Sequence, residues 1–248
     1  MPPRIHTDLP LAASACVALP PGASRHVQVL RLQPGDAITL FDGHGGEWAA
    51  EVAEMGRKTV TARVMTHQAV DCELVVRVNL AMGMPANDRM DGLVEKATEL
   101  GAAALQPLVC ERSVLRLSGE RAERKAAHWQ GIAVAACEQS GRNRVPRVHQ
   151  PLPLAAWLAG LPPAGNGELR LVLSLADGTQ TLRTLLAGCT PGTALCVLSG
   201  PEGGLSSTEL AAATAAGFQP TSLGPRVLRA DTAPLAVLAS VATLENPA

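Results

Sequence analysis

The sequence predicts an α/β protein in two parts, a small β-barrel followed by a parallel sheet covered by helices. Residues 1–72 offer short strand-like runs at Ala37–Phe41, 47–52 and 58–65. Tight turns separate them, Asp42-Gly43-His44-Gly45-Gly46 and Met55-Gly56-Arg57, and no long helix intervenes. After about Cys72 strands alternate with helix patterns, and the run 169–176 (LRLVLSLA) is apolar on both faces. That is the mark of a parallel sheet buried on both sides. A chain of 248 residues that is 47% hydrophobic and 17% charged is long enough to bury a substantial core.

In the first part, 24–32 reads as a short helix with Val27, Val29 and Leu30 inward, and Gln33-Pro34-Gly35-Asp36 turns the chain into the first barrel strands. In the second, a strand over 74–82 precedes an amphipathic helix over 87–100. Met90, Leu93, Val94, Ala97 and Leu100 share one face of that helix, and Gly101 stops it. A strand follows at Ala104–Val109, then helices over 120–138 and 152–159, the strand 169–176 and a helix near 179–187. Ala194–Ser199 is a short buried strand. Ser206 and Glu209 have capping-box spacing for a helix ending at Gly217. A last helix over 231–244 places Leu235, Leu238, Ala239 and Ala242 inward.

Composition narrows the chemistry. The formal net charge is −1, so nucleic-acid binding would need a local basic patch. One exists: the segment 111–147 holds eight Lys/Arg against four Glu. A solvated helix face and a phosphate-contacting surface both fit it. Arg142-Asn143-Arg144 follow Gly141, on a loop where side chains can reach a nucleic-acid backbone. The six cysteines form no CxxC pair, which favours buried, reduced thiols in a cytosolic protein over disulfides or zinc. The N-terminus lacks the apolar region of a secretory signal, and no apolar run approaches the ~20 residues of a membrane helix. GxGxxG before a helix, GxxxxGK[ST], GxSxG and HExxH are all missing, and the six His residues do not cluster with carboxylates. No metal is expected.

Two glycine loops remain. Gly200-Pro201-Glu202-Gly203-Gly204 follows the strand at Ala194–Ser199, and Leu223-Gly224-Pro225-Arg226 follows a second short strand. A strand, a glycine turn and a helix start together offer backbone N–H groups to a ligand. Two such loops close in sequence suggest one pocket made from both. Arg226 and Arg229 flank Val227-Leu228 at its edge. Glu202 is placed to order an arginine, to meet a ligand hydroxyl, or simply to interact with the helix dipole.

These residues also carry a resemblance. LSGPEGG (198–204), LGPRVLR (223–229) and Asp231-Thr232-Ala233 are similar to the knotted SPOUT methyltransferases. Within them the chain resembles the ribosomal RNA small-subunit methyltransferase E family, which methylates N3 of one uridine. KATELG (96–101), Glu111-Arg112-Ser113, EQSGR (138–142) with Val145-Pro146, and the early pattern His26, Val29-Leu30-Arg31, Gly35-Asp36 and Phe41-Asp42-Gly43 agree with it, so the likeness spans nearly the whole chain. Asp231 stands where the family usually has Glu, and Ile5-His6 where an aromatic pair is common.

The resemblance implies a PUA-like RNA-binding barrel over 1–72 and a SPOUT domain over 73–248 with a deep trefoil knot at about 171–233. It implies S-adenosylmethionine as cofactor, held by Leu175, Ser199, Gly200, Pro201, Glu202, Gly203, Leu223, Gly224, Val227 and Leu228. It also implies a cytoplasmic homodimer acting on small-subunit (16S) ribosomal RNA or the assembled subunit. Since deprotonated uridine N3 carries negative charge, Arg229, then Arg226, are the catalytic candidates, with Glu202 or solvent as base. Arg4, Arg31, Arg112 and Arg142 are candidates for holding RNA. The competing readings are a SPOUT enzyme for another RNA and a non-catalytic RNA-binding protein of the same fold; a dinucleotide enzyme is disfavoured by the missing glycine fingerprint.

Overall fold

The computed structural model describes residues 1–176 and 178–244. They cluster into two units, Met1–Glu73 with Val134–Val145, and Leu74–Ala133 with Pro146–Ala248.

The first unit is built on a five-stranded sheet. Its elements are β1 (Arg4–His6), β2 (Cys16–Ala18), α1 (Pro21–Val29), β3 (Ala37–Phe41), β4 (Glu47–Met55) and β5 (Val60–Gln68). The strand order is β1-β3-β4-β5-β2, with β1 parallel to β3 and the other pairs antiparallel. Period-two alternation sends Ile38 and Leu40 of β3 and Val60, Ala62 and Val64 of β5 into one core with Ile5, Val27 and Val52. Helix α1 starts earlier than its sequence pattern suggests, at Pro21, a good first helical residue. Its buried stripe is therefore Ala23, Ser24 and Val27. Val29, about 200° round the helix from Val27, is 70% exposed, and Leu30 is exposed at the C-cap; neither points inward as expected. Buried Ser24 is fully used, donating to the Leu19 carbonyl (2.9 Å) and accepting from Val60 N–H (3.1 Å).

Val134–Val145 brings polar groups into this unit. Arg142 is 3% exposed, and its Nε and Nη2 both donate to the Glu73 carboxylate. The Arg4 guanidinium pairs with Glu47, donates to Asn143 Oδ1 and lies 4.9 Å from the Phe41 ring centroid. Both arginines are thus spent on internal ion pairs, because each has a carboxylate at the same depth. The expectation that they present their charge to RNA is corrected here. Glu138 accepts from the His6 N–H (2.9 Å) and lies 3.2 Å from His26 Nδ1.

The second unit contains β6 (Arg77–Gly83), α2 (Asn87–Glu99), β7 (Ala104–Val109), α3 (Gly119–Ser140, whose last turns join the first unit), β8 (Arg147–Val148), β9 (Leu152–Pro153) and α4 (Leu154–Ala159). It continues with β10 (Glu168–Leu173), β11 (Gln180–Thr181), α5 (Leu182–Leu186), β12 (Ala194–Ser199), α6 (Ser207–Ala215), β13 (Gln219–Ser222) and α7 (Thr232–Leu244). The strand order is β11-β13-β10-β12-β6-β7-β8, with β9 also on β7, and every pair is parallel. Central strands are buried on both faces, as Val78, Leu80, Ala81, Leu171, Val172, Val197 and Leu198 show. The α6 capping box forms as the spacing predicts, and Gly217 follows the helix at φ +87°. In α7 the buried stripe is Pro234, Val237, Leu238 and Val241, while Ala239 is exposed. That helix is apolar at almost every position, so periodicity alone could not choose its inner face.

The thiols divide. Cys110 and Cys137 are buried, and burial pushes their pKa values up to about 12 and about 11. Cys16 and Cys72 are exposed. A thiol-disulfide reagent should therefore modify two cysteines quickly in the folded protein and all six in denaturant; fast reaction of Cys110 or Cys137 would contradict this packing. Arg142→Ala should cost about 3 kcal/mol in urea unfolding, the usual effect of leaving a buried partner charge unpaired. A change under about 0.5 kcal/mol, the size typical of solvent-exposed pairs, would mean that water already screens Glu73.

Candidate active site

Three neighbouring strands, β13, β10 and β12, end side by side because they are parallel and in register. The loops leaving their C-terminal ends, where ligands of open α/β sheets bind, enclose a cavity of about 490 Å³. Ser174 and Leu175 after β10, Ser199 at the end of β12 with Gly200 to Glu202 after it, and Leu223 with Arg226 to Ala230 after β13 line it. That size falls within the ~300–1,000 Å³ range of small-molecule sites.

The loop after β12 is fixed from several sides. Gly204 N–H donates to the Pro201 carbonyl (2.8 Å), closing a tight turn. A Cβ on Gly200 would sit 2.9 Å from Leu205 N, and one on Gly83, the last residue of β6, 2.5 Å from both Pro201 N and Cδ. Both positions need glycine for backbone approach rather than for dihedral freedom. Glu202 Oε1 accepts from Ala86 N–H (2.9 Å) and lies 3.8 Å from Arg89 Nη1. Arg112 Nη1 donates to the Gly203 carbonyl (3.0 Å). Glu209 completes the capping box through Oε2 on Ser206 N–H (2.9 Å) and ties down Glu111 N–H through Oε1 (2.7 Å).

The loop after β13 is held more lightly. Gly224 N–H donates to Ser222 Oγ (3.1 Å), and the Arg229 carbonyl accepts from Thr232 and Ala233 N–H at 3.0 Å each, starting α7. Between these anchors Arg226, Val227 and Arg229 are exposed.

Of the residues proposed from sequence, Leu175, Ser199, Gly200, Pro201, Glu202, Leu223, Arg226, Val227, Leu228 and Arg229 line the cavity, whereas Gly203 and Gly224 shape the loops without lining it. Arg31 is exposed in the first unit and Arg112 is exposed beside Gly203. The sequence reading missed Arg89, a third arginine on the cavity wall. It also missed Gly83. No local signal marks either one, since both act across more than 100 residues. Ser199 Oγ is buried and lacks a hydrogen-bond partner among the described residues, so it is a polar group available to a ligand. Apolar walls from Leu173, Leu205, Leu210 and Leu228, open backbone groups and an orphan hydroxyl suit a purine-bearing cofactor.

Comparison with known proteins agrees with this geometry. The RNA methyltransferase domain family matches residues 72–242, and an RNA methyltransferase PUA domain matches 19–65. Ribosomal RNA small subunit methyltransferase E of Synechocystis is 36% identical over 88% of this chain and 69% of its own length, and that of Bacillus subtilis 32% over 87% and 84%. The crystal structure of ribosomal RNA small subunit methyltransferase E from Neisseria gonorrhoeae, bound to S-adenosyl methionine, is 36% identical with a TM-score of 0.89 and covers 98% of both chains. The chain belongs to the ribosomal RNA small subunit methyltransferase E family of RNA methyltransferases.

Proposed function

We propose that the protein methylates N3 of one uridine in small-subunit ribosomal RNA, using S-adenosylmethionine. The observation that carries this reading is the single cavity in which both glycine loops, the orphan Ser199 hydroxyl, Arg226 and Arg229 meet. A relative solved with that cofactor supports it. When bound, S-adenosylmethionine supplies an electrophilic methyl group on a sulfonium centre. The cofactor is held by Leu175, Ser199, Gly200, Pro201, Leu223, Val227 and Leu228, with Gly203 and Gly224 setting the loop shapes.

The protein's task is alignment and charge stabilisation, since a displacement of this kind needs no covalent intermediate. The target base leaves its stack to present its Watson–Crick edge. Its N3 proton passes to water, and the remaining charge is shared with the flanking carbonyl oxygens. Arg229 first, and Arg226 second, stabilise that anion. Glu202 is a positioning residue: one of its oxygens is occupied by Ala86 N–H and the carboxylate faces Arg89. Arg112 and Arg31 contact RNA, with residues 1–72 acting as a PUA-like RNA-binding domain and 73–248 as the methyltransferase. The cytoplasmic protein works as a homodimer, for which the half-buried apolar Leu235 and Ala236 of α7 offer surface. A trefoil knot spans about 171–233.

Labelled S-adenosylmethionine and small subunits lacking modifications test this. Wild type should place label on one uridine N3, and Arg229→Ala should lower kcat about 10²–10³-fold with cofactor Kd within about twofold. Wild-type rates in the variant would remove Arg229 from the reaction, and label absent from ribosomal RNA despite cofactor binding would point to another RNA. Gly83→Ala should raise the cofactor Kd about tenfold by driving a methyl into Pro201, an overpacking effect of about 1–3 kcal/mol. Calorimetry giving unchanged affinity together with an unchanged Tm would show that the loop does not need this approach.

A further inference from the structure

A smaller depression of about 300 Å³ lies in the same unit, lined by Ala86, Val114, Leu115, Arg116 and Arg121. Its wall includes the irregular segment 113–118, where burial alternates. Ser113, Leu115 and Leu117 are buried; Val114, Arg116 and Ser118 are exposed, Val114 at 80%. The inward residues anchor this segment, and Ser113 Oγ fixes its start by accepting from Cys110 N–H (2.9 Å). The outward residues therefore stand on a pinned backbone. Arg116 Nη2 donates to the Glu111 carbonyl (2.8 Å), which steadies its guanidinium. Neither Arg116 nor Arg121 has a carboxylate partner among the described residues, whereas their neighbours Arg124 and Arg89 face Glu120 and Glu202.

The depression adjoins the cofactor cavity. Ala86, on its rim, is the N-cap of α2, and Arg89, on the cavity wall, is one turn further along. Glu202 holds both. Two guanidinium groups without carboxylate partners among the described residues select a phosphate, and exposed Val114 offers an apolar contact. RNA-binding proteins usually receive a splayed base on an aromatic ring. This chain has no Tyr, its two Phe are buried, Trp129 is buried, and Trp48 and Trp157 pack on His67 and Phe218. The depression itself is lined by aliphatic side chains and arginines, so a base seated there meets Val114 and the guanidinium planes.

We propose that this depression holds the nucleotide flanking the methylated uridine in single-stranded RNA, its phosphate between Arg116 and Arg121 and its base against Val114. The inference rests on the RNA methyltransferase reading above. The test is filter binding of modification-free small-subunit ribosomal RNA to the full-length protein across a salt series. Arg116→Ala/Arg121→Ala should bind about tenfold more weakly, and its slope of log K against log salt should fall by about 0.7, the value for one single-strand phosphate. Arg124→Ala should leave affinity and slope unchanged. Cofactor affinity within about twofold of wild type shows that the double variant is folded. Affinity within twofold and an unchanged slope in the double variant would overturn the subsite, as would an equal loss in Arg124→Ala or a wild type that binds no RNA. Methyl transfer is measured in parallel. Transfer with unchanged RNA binding overturns the subsite and leaves the reaction standing; arginine-dependent binding without transfer supports the subsite and removes the reaction.

Discussion

The site depends on one close approach, that of the β12–α6 loop to the end of β6. Gly83 has no side chain, so Pro201 can lie where a Cβ would otherwise be. That contact sets the height of the loop above the sheet. The hydrogen bonds around it then fix its direction: Glu202 to Ala86, Arg112 to Gly203 and Glu209 to Glu111. Each ties the loop or the start of α6 to a segment leaving β6, the strand next to β12, or β7, the strand beyond it. The sheet register supplies the coarse placement, and the ties refine it to the precision that binding and alignment need.

Arginine use follows the same logic in the two units. Arg4 and Arg142 in the first, and Arg170 in the second, are buried or half-buried with a carboxylate and carbonyls around them. Such pairs add little net stability, because desolvation offsets the attraction. What they do is fix which segments pack together, here 1–73 with 134–145. The arginines without carboxylate partners near the cavity, Arg112, Arg116, Arg121, Arg226 and Arg229, are all exposed. Arg112 and Arg116 each donate to a backbone carbonyl, but no internal carboxylate among the described residues neutralises the five, and phosphate or a developing anion is the chemistry that would do so.

What the sequence revealed was local. The β12 strand, the capping box of α6, its stop at Gly217 and the buried face of α2 all depend on residues within a few positions of one another, and each can be read from spacing. The parallel character of the second unit was legible because strands buried on both faces lose the period-two pattern. What stayed hidden is long-range. Glu202 meets Ala86 across 116 residues, and Arg112 meets Gly203 across 91. No spacing rule connects them. Arg142 is the instructive error: a basic residue after a glycine, on a loop, with every local sign of exposure. A glutamate 69 positions away decides its place.

The division between a strapped loop and a lightly held one has a chemical reading. The loop after β12 is tied on several sides and presents Ser199; it suits a cofactor that must be held in one pose while its methyl is transferred. Among the described residues the loop after β13 is anchored at its ends, through Ser222 and the Arg229 carbonyl, and Arg226, Val227 and Arg229 are exposed. An arginine that is to stabilise a developing anion has to be positioned by the arriving substrate before the charge forms. It loses from an internal carboxylate that would compete for it. Neither Arg226 nor Arg229 has an ion pair among the described residues, which leaves both guanidinium groups able to meet a ligand's negative charge. Glu202 Oε1 meets both Ala86 N–H and Arg89, which ties the loop to the start of α2.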